Sequence, residues 1–246
     1  MNRRKLLLNS LFLALVFFIT FYCIFRHQDI GELIETIKDT DYKYWLLAVL
    51  FVIFFIGSES IIIYYMLIAI KQKAKLMHCL LYSFVGFFFS CITPSATGGQ
   101  PAQIYFMKKD KIPIPISTLI LMFVTITYKL VLVLLGVIVL LVRPRQIMCY
   151  LEQVIGICYL GLILNVFCVA FMLLLVFNPT LVKKQLTYLV ELFGRLRLIR
   201  RKDRYLLKIE SAMQQYKDIA LYFRTHKILI FNVFIITAVQ RILFFY

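Results

Sequence analysis

The chain has 246 residues, of which 62% are hydrophobic and only 16% charged. With a mean hydropathy of +0.88, it lies far from soluble domains, where about half the residues are apolar and about a quarter charged. A soluble enzyme, a disordered chain and a secreted disulfide scaffold are thereby excluded. The charge is lopsided, 28 Lys and Arg against 12 Asp and Glu for a net +16, which in an apolar chain marks cytoplasmic loops lying against anionic lipid.

Apolar runs cover residues 6–25, 45–70, 76–93, 117–142, 153–177 and 228–246. Each but the third is long enough to cross about 30 Å of hydrocarbon. The first follows Arg3, Arg4 and Lys5 without a small-residue cleavage site, so it reads as a membrane helix rather than a signal peptide. Residues 26–44 follow, with Asp29 and Glu32 at capping-box spacing and Ile30, Leu33, Ile34 and Ile37 on one stripe, which predicts a short helix on the membrane surface. The third run carries Ser83, Gly86 and Ser90 and ends at Pro94. Between residues 178 and 227 there are twelve basic and four acidic residues. There Val182, Leu186, Leu189 and Phe193 predict one amphipathic helix, and Leu206, Ile209, Met213, Tyr216, Ala220 and Phe223 a second. Arg195, Arg197, Arg200, Arg201, Lys202 and Arg204 form a basic cluster between them. This connection is read as a cytoplasmic face touching anionic headgroups rather than as a specific nucleic-acid surface. The last run ends with the chain, which predicts further helices beyond it.

All six cysteines lack C-x-x-C or zinc spacing, and five lie in apolar runs, so they read as small buried hydrophobes; no metal and no cofactor is expected. His27, His78 and His226 stand at run ends, where interfacial anchoring is the simplest role.

Basic residues favour the cytoplasmic side, which places the N-terminus inside, residues 26–44 outside, and both Lys71-Lys73-Lys75 and the basic connection inside. Three apolar runs separate the last two points, although an even number of crossings is required. The short third run is therefore expected to enter from the cytoplasm, turn at Thr93–Pro101 and return, with Lys108, Lys109 and Lys111 inside. Arg143 and Arg145 alone are then misplaced. The fold class that follows is all-α: one polytopic membrane domain over residues 1–246 with a re-entrant motif hairpin at 76–109 and amphipathic surface helices.

The turn itself combines helix breakers with donors. Gly98 and Gly99 permit unusual dihedrals, and Pro101 suits the start of a helix over Pro101–Lys109. A helix start at membrane depth favours an anion, and broken helices form many transporter sites. Thr93, Ser95, Thr97, Gly98, Gly99 and Gln100, with Lys108 and Lys109, are the candidate lipid-phosphate ligands; a simple sharp turn is the alternative. The spacing of a nucleotide-binding loop is absent. Glu59 and Lys129 lie near the middle of their runs, where a charge costs about 2.5–3.5 kcal/mol. Each must face protein or water. They can pair with one another, or Lys129 can meet a lipid phosphate and Glu59 a cationic headgroup. Gln240 and Arg241 add a third polar contribution. No catalytic constellation stands out on the polar segments.

Thr93-Pro94-Ser95-Ala96-Thr97-Gly98-Gly99-Gln100-Pro101, followed by Gln103-Ile104-Tyr105 and Lys108-Lys109, resembles the signature of the lysylphosphatidylglycerol synthase transmembrane, or flippase-like, family. That family includes the membrane half of the bacterial multiple peptide resistance factor. The order of elements agrees over most of the chain. Members are usually longer, so the resemblance implies that closing helices are missing here. Many members also carry an acidic-basic pair after the motif, where this chain has Tyr128-Lys129. The resemblance implies a multi-pass plasma-membrane protein that binds and moves phosphatidylglycerol or its lysyl ester between leaflets. Two alternatives stay open. One is lysyl transfer from lysyl-tRNA to phosphatidylglycerol, which in the family belongs to a separate soluble domain that does not fit in 246 residues; tRNA would be a partner only there. The other is a membrane assembly subunit, and homo-oligomerisation is left open.

Overall fold

The computed structural model describes residues 38–93, 96–142, 155–195 and 202–245, with isolated positions before them. The run at 6–25, the surface helix at 26–37, Pro94, Ser95, Arg143, Arg145 and the centre of the basic cluster at 196–201 lie outside, apart from a few of those isolated positions. The described regular elements are all helices: α1 (Tyr42–Ala69), α2 (Leu76–Ile92), α3 (Gly99–Lys109), α4 (Ile114–Val142), α5 (Ile155–Phe177), α6 (Pro179–Arg195), α7 (Lys202–Thr225) and α8 (Lys227–Phe245). Four of them, α1, α4, α5 and α8, are long and apolar enough to cross a membrane. At 17 residues, α2 spans about 25 Å and falls short.

Local chemistry sets the helix ends. Asp41 caps α1, its carboxylate accepting from Lys43 N at 3.2 Å, as N-cap acids do. At the other end Gln72 N donates to Leu67 O and Lys71 N to Ile68 O, with Lys71 at φ 58°. This is the glycine-type helix stop built on a lysine. Thr93, directly before Pro94, is extended (φ −110°, ψ 142°), because proline disfavours helical geometry in its predecessor. Inside α1 and α4 the hydroxyls of Ser58, Ser60, Thr125 and Thr127 donate to carbonyls three or four residues back, so apolar surroundings meet no unsatisfied oxygen.

The chain forms two compact units. One holds the described residues up to Ile61 together with Lys75–Asp110; the other holds Ile62–Ala74 and Lys111 onward. In the first, α2 and α3 form a helical hairpin, and Phe55 of α1 meets Phe87 of α2 edge-on at 5.0 Å. In the second, α4 is the hub against which α5, α7 and α8 pack, while α6 lies on α7. Its core includes Leu119, Ile120, Phe123, Val131, Val176, Phe223 and Val233, all buried. The apolar stripe expected on α7 faces inward at Met213, Tyr216, Ala220 and Phe223, and Phe223 stacks edge-on against Phe123 at 4.8 Å. The cysteine expectation holds only in part. Cys79 is buried, but Cys91 is exposed and Cys158 and Cys168 are half-buried, because these helices present apolar residues outward as a bilayer requires.

Candidate functional site

The motif lies at the tip of the α2–α3 hairpin. A ladder of contacts fixes the register of its two antiparallel arms. At the base, Asp110 Oδ2 accepts from the Tyr82 hydroxyl at 2.5 Å and meets His78 Nδ1 at 2.9 Å. Midway, Gln103 lies under Gly86, and at the tip Gly99 lies against Ser90. The glycines set the closeness of the arms. A Cβ on Gly99 would fall 2.2 Å from Ser90 Oγ and 2.7 Å from Gly86 O, and one on Gly86 would fall 2.3 Å from Gln103 Nε2.

The backbone role expected for Gly98 and Gly99 is not the one they play. Neither has positive φ; Gly98 sits at −80°, and among the described residues of the turn the left-handed one is Ala96 at 55°. The glycines are there for space. Thr93 holds the turn closed, its Oγ1 donating to Phe89 O at 2.6 Å and accepting from Gly98 N at 2.9 Å. Its hydroxyl is thus occupied in the fold. The helix expected from Pro101 begins two residues earlier, at Gly99, leaving Pro101 within the first turn where no N–H is required.

The structure brings Thr93, Thr97, Gly98, Gly99 and Gln100 together at the tip, with Thr97 and Gln100 exposed. Lys108 and Lys109 are set apart at the far end of the 11-residue α3, about 14 Å along the axis from Gly99. Ser95 lies outside the described residues. Glu59 and Lys129 each meet a neutral amide: Gln103 Nε2 donates to Glu59 Oε1 at 2.9 Å, and Lys129 Nζ donates to Asn165 Oδ1 at 3.3 Å. In the second unit Arg241 also lies over the Tyr128 ring, 3.9 Å from its centroid.

Gln103, Tyr82, Asp110 and Asn165 were not singled out as site residues from sequence. A signal for the first three existed. Cys79, Ser83, Gly86 and Ser90 recur at spacings of four and three, which places small residues on one face of α2 and predicts a close helix partner. Asn165 is a lone amide in an apolar run, and such residues face other helices.

Apolar helices of spanning length and a hairpin packed on glycines define a multi-pass α-helical membrane protein. Within that class the chain belongs to the family of the lysylphosphatidylglycerol synthase TM region, whose model matches residues 6–246. Neither the curated proteins nor the solved structures contain a match.

Proposed function

We propose that this protein binds an anionic or aminoacylated phospholipid, phosphatidylglycerol or its lysyl ester, and moves its headgroup across the plasma membrane, with the N-terminus cytoplasmic. The observation that carries this reading is the α2–α3 hairpin. Its base gathers Lys75, Lys108 and Lys109 beside the His78–Asp110 contact, and its tip is polar. From His78 to Ser90 is twelve residues, about 18 Å. A base at the headgroup level therefore carries the tip slightly beyond the centre of a ~30 Å core. Irregular backbone at that depth needs a cavity with polar contents, and the dipole at the start of α3 favours a negative group there. The lysines at the base and the basic segment 178–227 are each a landing surface for anionic headgroups.

The test is transport of fluorescent phosphatidylglycerol and its lysyl ester in proteoliposomes. Wild-type protein should accelerate exchange between leaflets. Gly99→Leu should abolish the acceleration, while Lys108→Gln with Lys109→Gln should slow lipid capture without abolishing it. Unchanged exchange in Gly99→Leu would remove the hairpin from the mechanism. The family's name favours a second reading, lysyl transfer from lysyl-tRNA, through a soluble domain in a longer polypeptide. Formation of the lysyl ester from lysyl-tRNA by a longer gene product with a globular tail, and not by the 246-residue chain alone, would establish it.

A further inference from the structure

Away from the hairpin, a groove runs along the seam between α4 and α5. Its volume is about 420 Å³, and its wall is almost wholly apolar, formed by Leu132, Gly136 and Leu140 on α4 and by Cys158 and Leu162 on α5. Gly136 keeps it open, since a Cβ there would approach Leu162 Cδ1 to 2.9 Å. One turn beyond Leu132 stands Lys129, near the middle of the 29-residue α4. Its ammonium is held by Asn165 Oδ1, and Asn165 is itself oriented by its Nδ2 donating to Gly161 O at 3.0 Å. Neither α4 nor α5 contains an acidic residue. Across all the apolar runs the charges are Glu59, Lys129 and Arg241, and the group that meets the Lys129 charge at membrane depth is an amide. A neutral amide does not compensate it.

We infer that this seam is a lipid subsite: one acyl chain of an anionic phospholipid lies in the α4–α5 groove with its phosphate against Lys129. From Lys129 to Leu140 is about 16 Å along the helix, half of the ~30 Å hydrocarbon core. The slot therefore accepts one chain of a lipid whose headgroup has reached mid-membrane. The phosphate of an anionic lipid, with no choline cation beside it to neutralise it, supplies the missing negative charge, and Asn165 keeps Lys129 aimed at it. This inference takes its ligand class from the proposed function but uses none of the hairpin residues.

The experiment uses the full chain in nanodiscs containing phosphatidylglycerol and phosphatidylcholine tracers with photoactivatable diazirines on one acyl chain, with cross-links mapped by mass spectrometry. A single favourable charge contact is worth about 1 kcal/mol, so phosphatidylglycerol should label the seam about fivefold over phosphatidylcholine. Lys129→Met should erase that preference while leaving equal labelling by both lipids. Gly136→Leu should lower labelling by both. Lys129→Met keeps the inference testable if Gly136→Leu fails to fold, because methionine is apolar and of similar reach. Equal labelling in the wild type, or a preference that survives Lys129→Met, overturns the subsite. If wild-type protein moves no lipid in proteoliposomes but keeps the Lys129-dependent preference, translocation falls and the subsite stands.

Discussion

Gly99 is the residue on which the hairpin most depends, because its neighbour is backbone. Ser90 Oγ can swing away from an added methyl, but Gly86 O cannot. Gly99→Ala should therefore lower stability in detergent by about 1–3 kcal/mol, the usual cost of overpacking, and Ser90→Gly should rescue only part of the loss in a thermal-melting series. Ala96 offers the opposite change. Its left-handed backbone costs about 1–2 kcal/mol, while glycine loses about 0.5–1 kcal/mol more in backbone freedom on folding. Ala96→Gly should raise the melting temperature by a net gain of at most about 1.5 kcal/mol, and a fall would show that the turn is not held in this conformation.

At the scale of elements, α7 is tied to its neighbours by groups outside the spanning helices, and these titrate in opposite directions. Burial pushes the Tyr216 phenol up to about 12, and its hydroxyl donates to Leu175 O at 3.2 Å. The folded state thus holds this proton longer than the unfolded chain. The contribution is complete below the ordinary phenol value near 10 and is lost as pH rises towards about 12. Loosening of α7 from α5 between those values, followed by hydrogen exchange, should vanish in Tyr216→Phe. The second group is Glu210, whose carboxyl is lowered by its hydrogen bond from, and the charge of, Lys183 at 2.7 Å. This contact between α6 and α7 is present above the ordinary carboxylate range and is lost as pH falls through the lowered value. Both side chains are exposed, so salt should weaken it at any pH.

For the whole molecule, the placement of the hairpin is open to a direct check. Cysteines introduced at positions 96 and 111 report on its tip and base. In a re-entrant arrangement, position 111 reacts with a membrane-impermeant maleimide from the cytoplasmic side. Position 96 resists the reagent from the outside. Rapid labelling of position 96 from outside would make α2 a full crossing.

Composition and run length carry most of the fold in this chain, since a bilayer imposes its thickness on every helix it contains. Among the described residues, helices cover the apolar runs at 45–70, 76–93, 117–142, 153–177 and 228–246 to within a few residues, and α7 carries its stripe, while the run at 6–25 lies outside them. The tip of the site was legible as a cluster, from Pro94, Gly98 and Gly99. What sequence could not supply was the division of labour within it. Nothing in a Gly-Gly pair says whether it serves dihedral freedom or close approach, and here a partner arm decides for approach. Likewise Glu59 and Lys129 stand out as charges, but their amide neighbours Gln103 and Asn165 follow only from helix packing.

The arms of the hairpin meet through hydrogen atoms where most helix pairs meet through branched side chains, and this has a mechanical corollary. Side chains can re-pack in small steps, whereas main chain against main chain has no softer alternative arrangement. The two arms should therefore travel as one stiff paddle, and any give that the proposed transport needs has to come from where the paddle is hinged or from its side-chain contacts with α1, such as the Gln103 amide on the Glu59 carboxylate and Phe87 on Phe55.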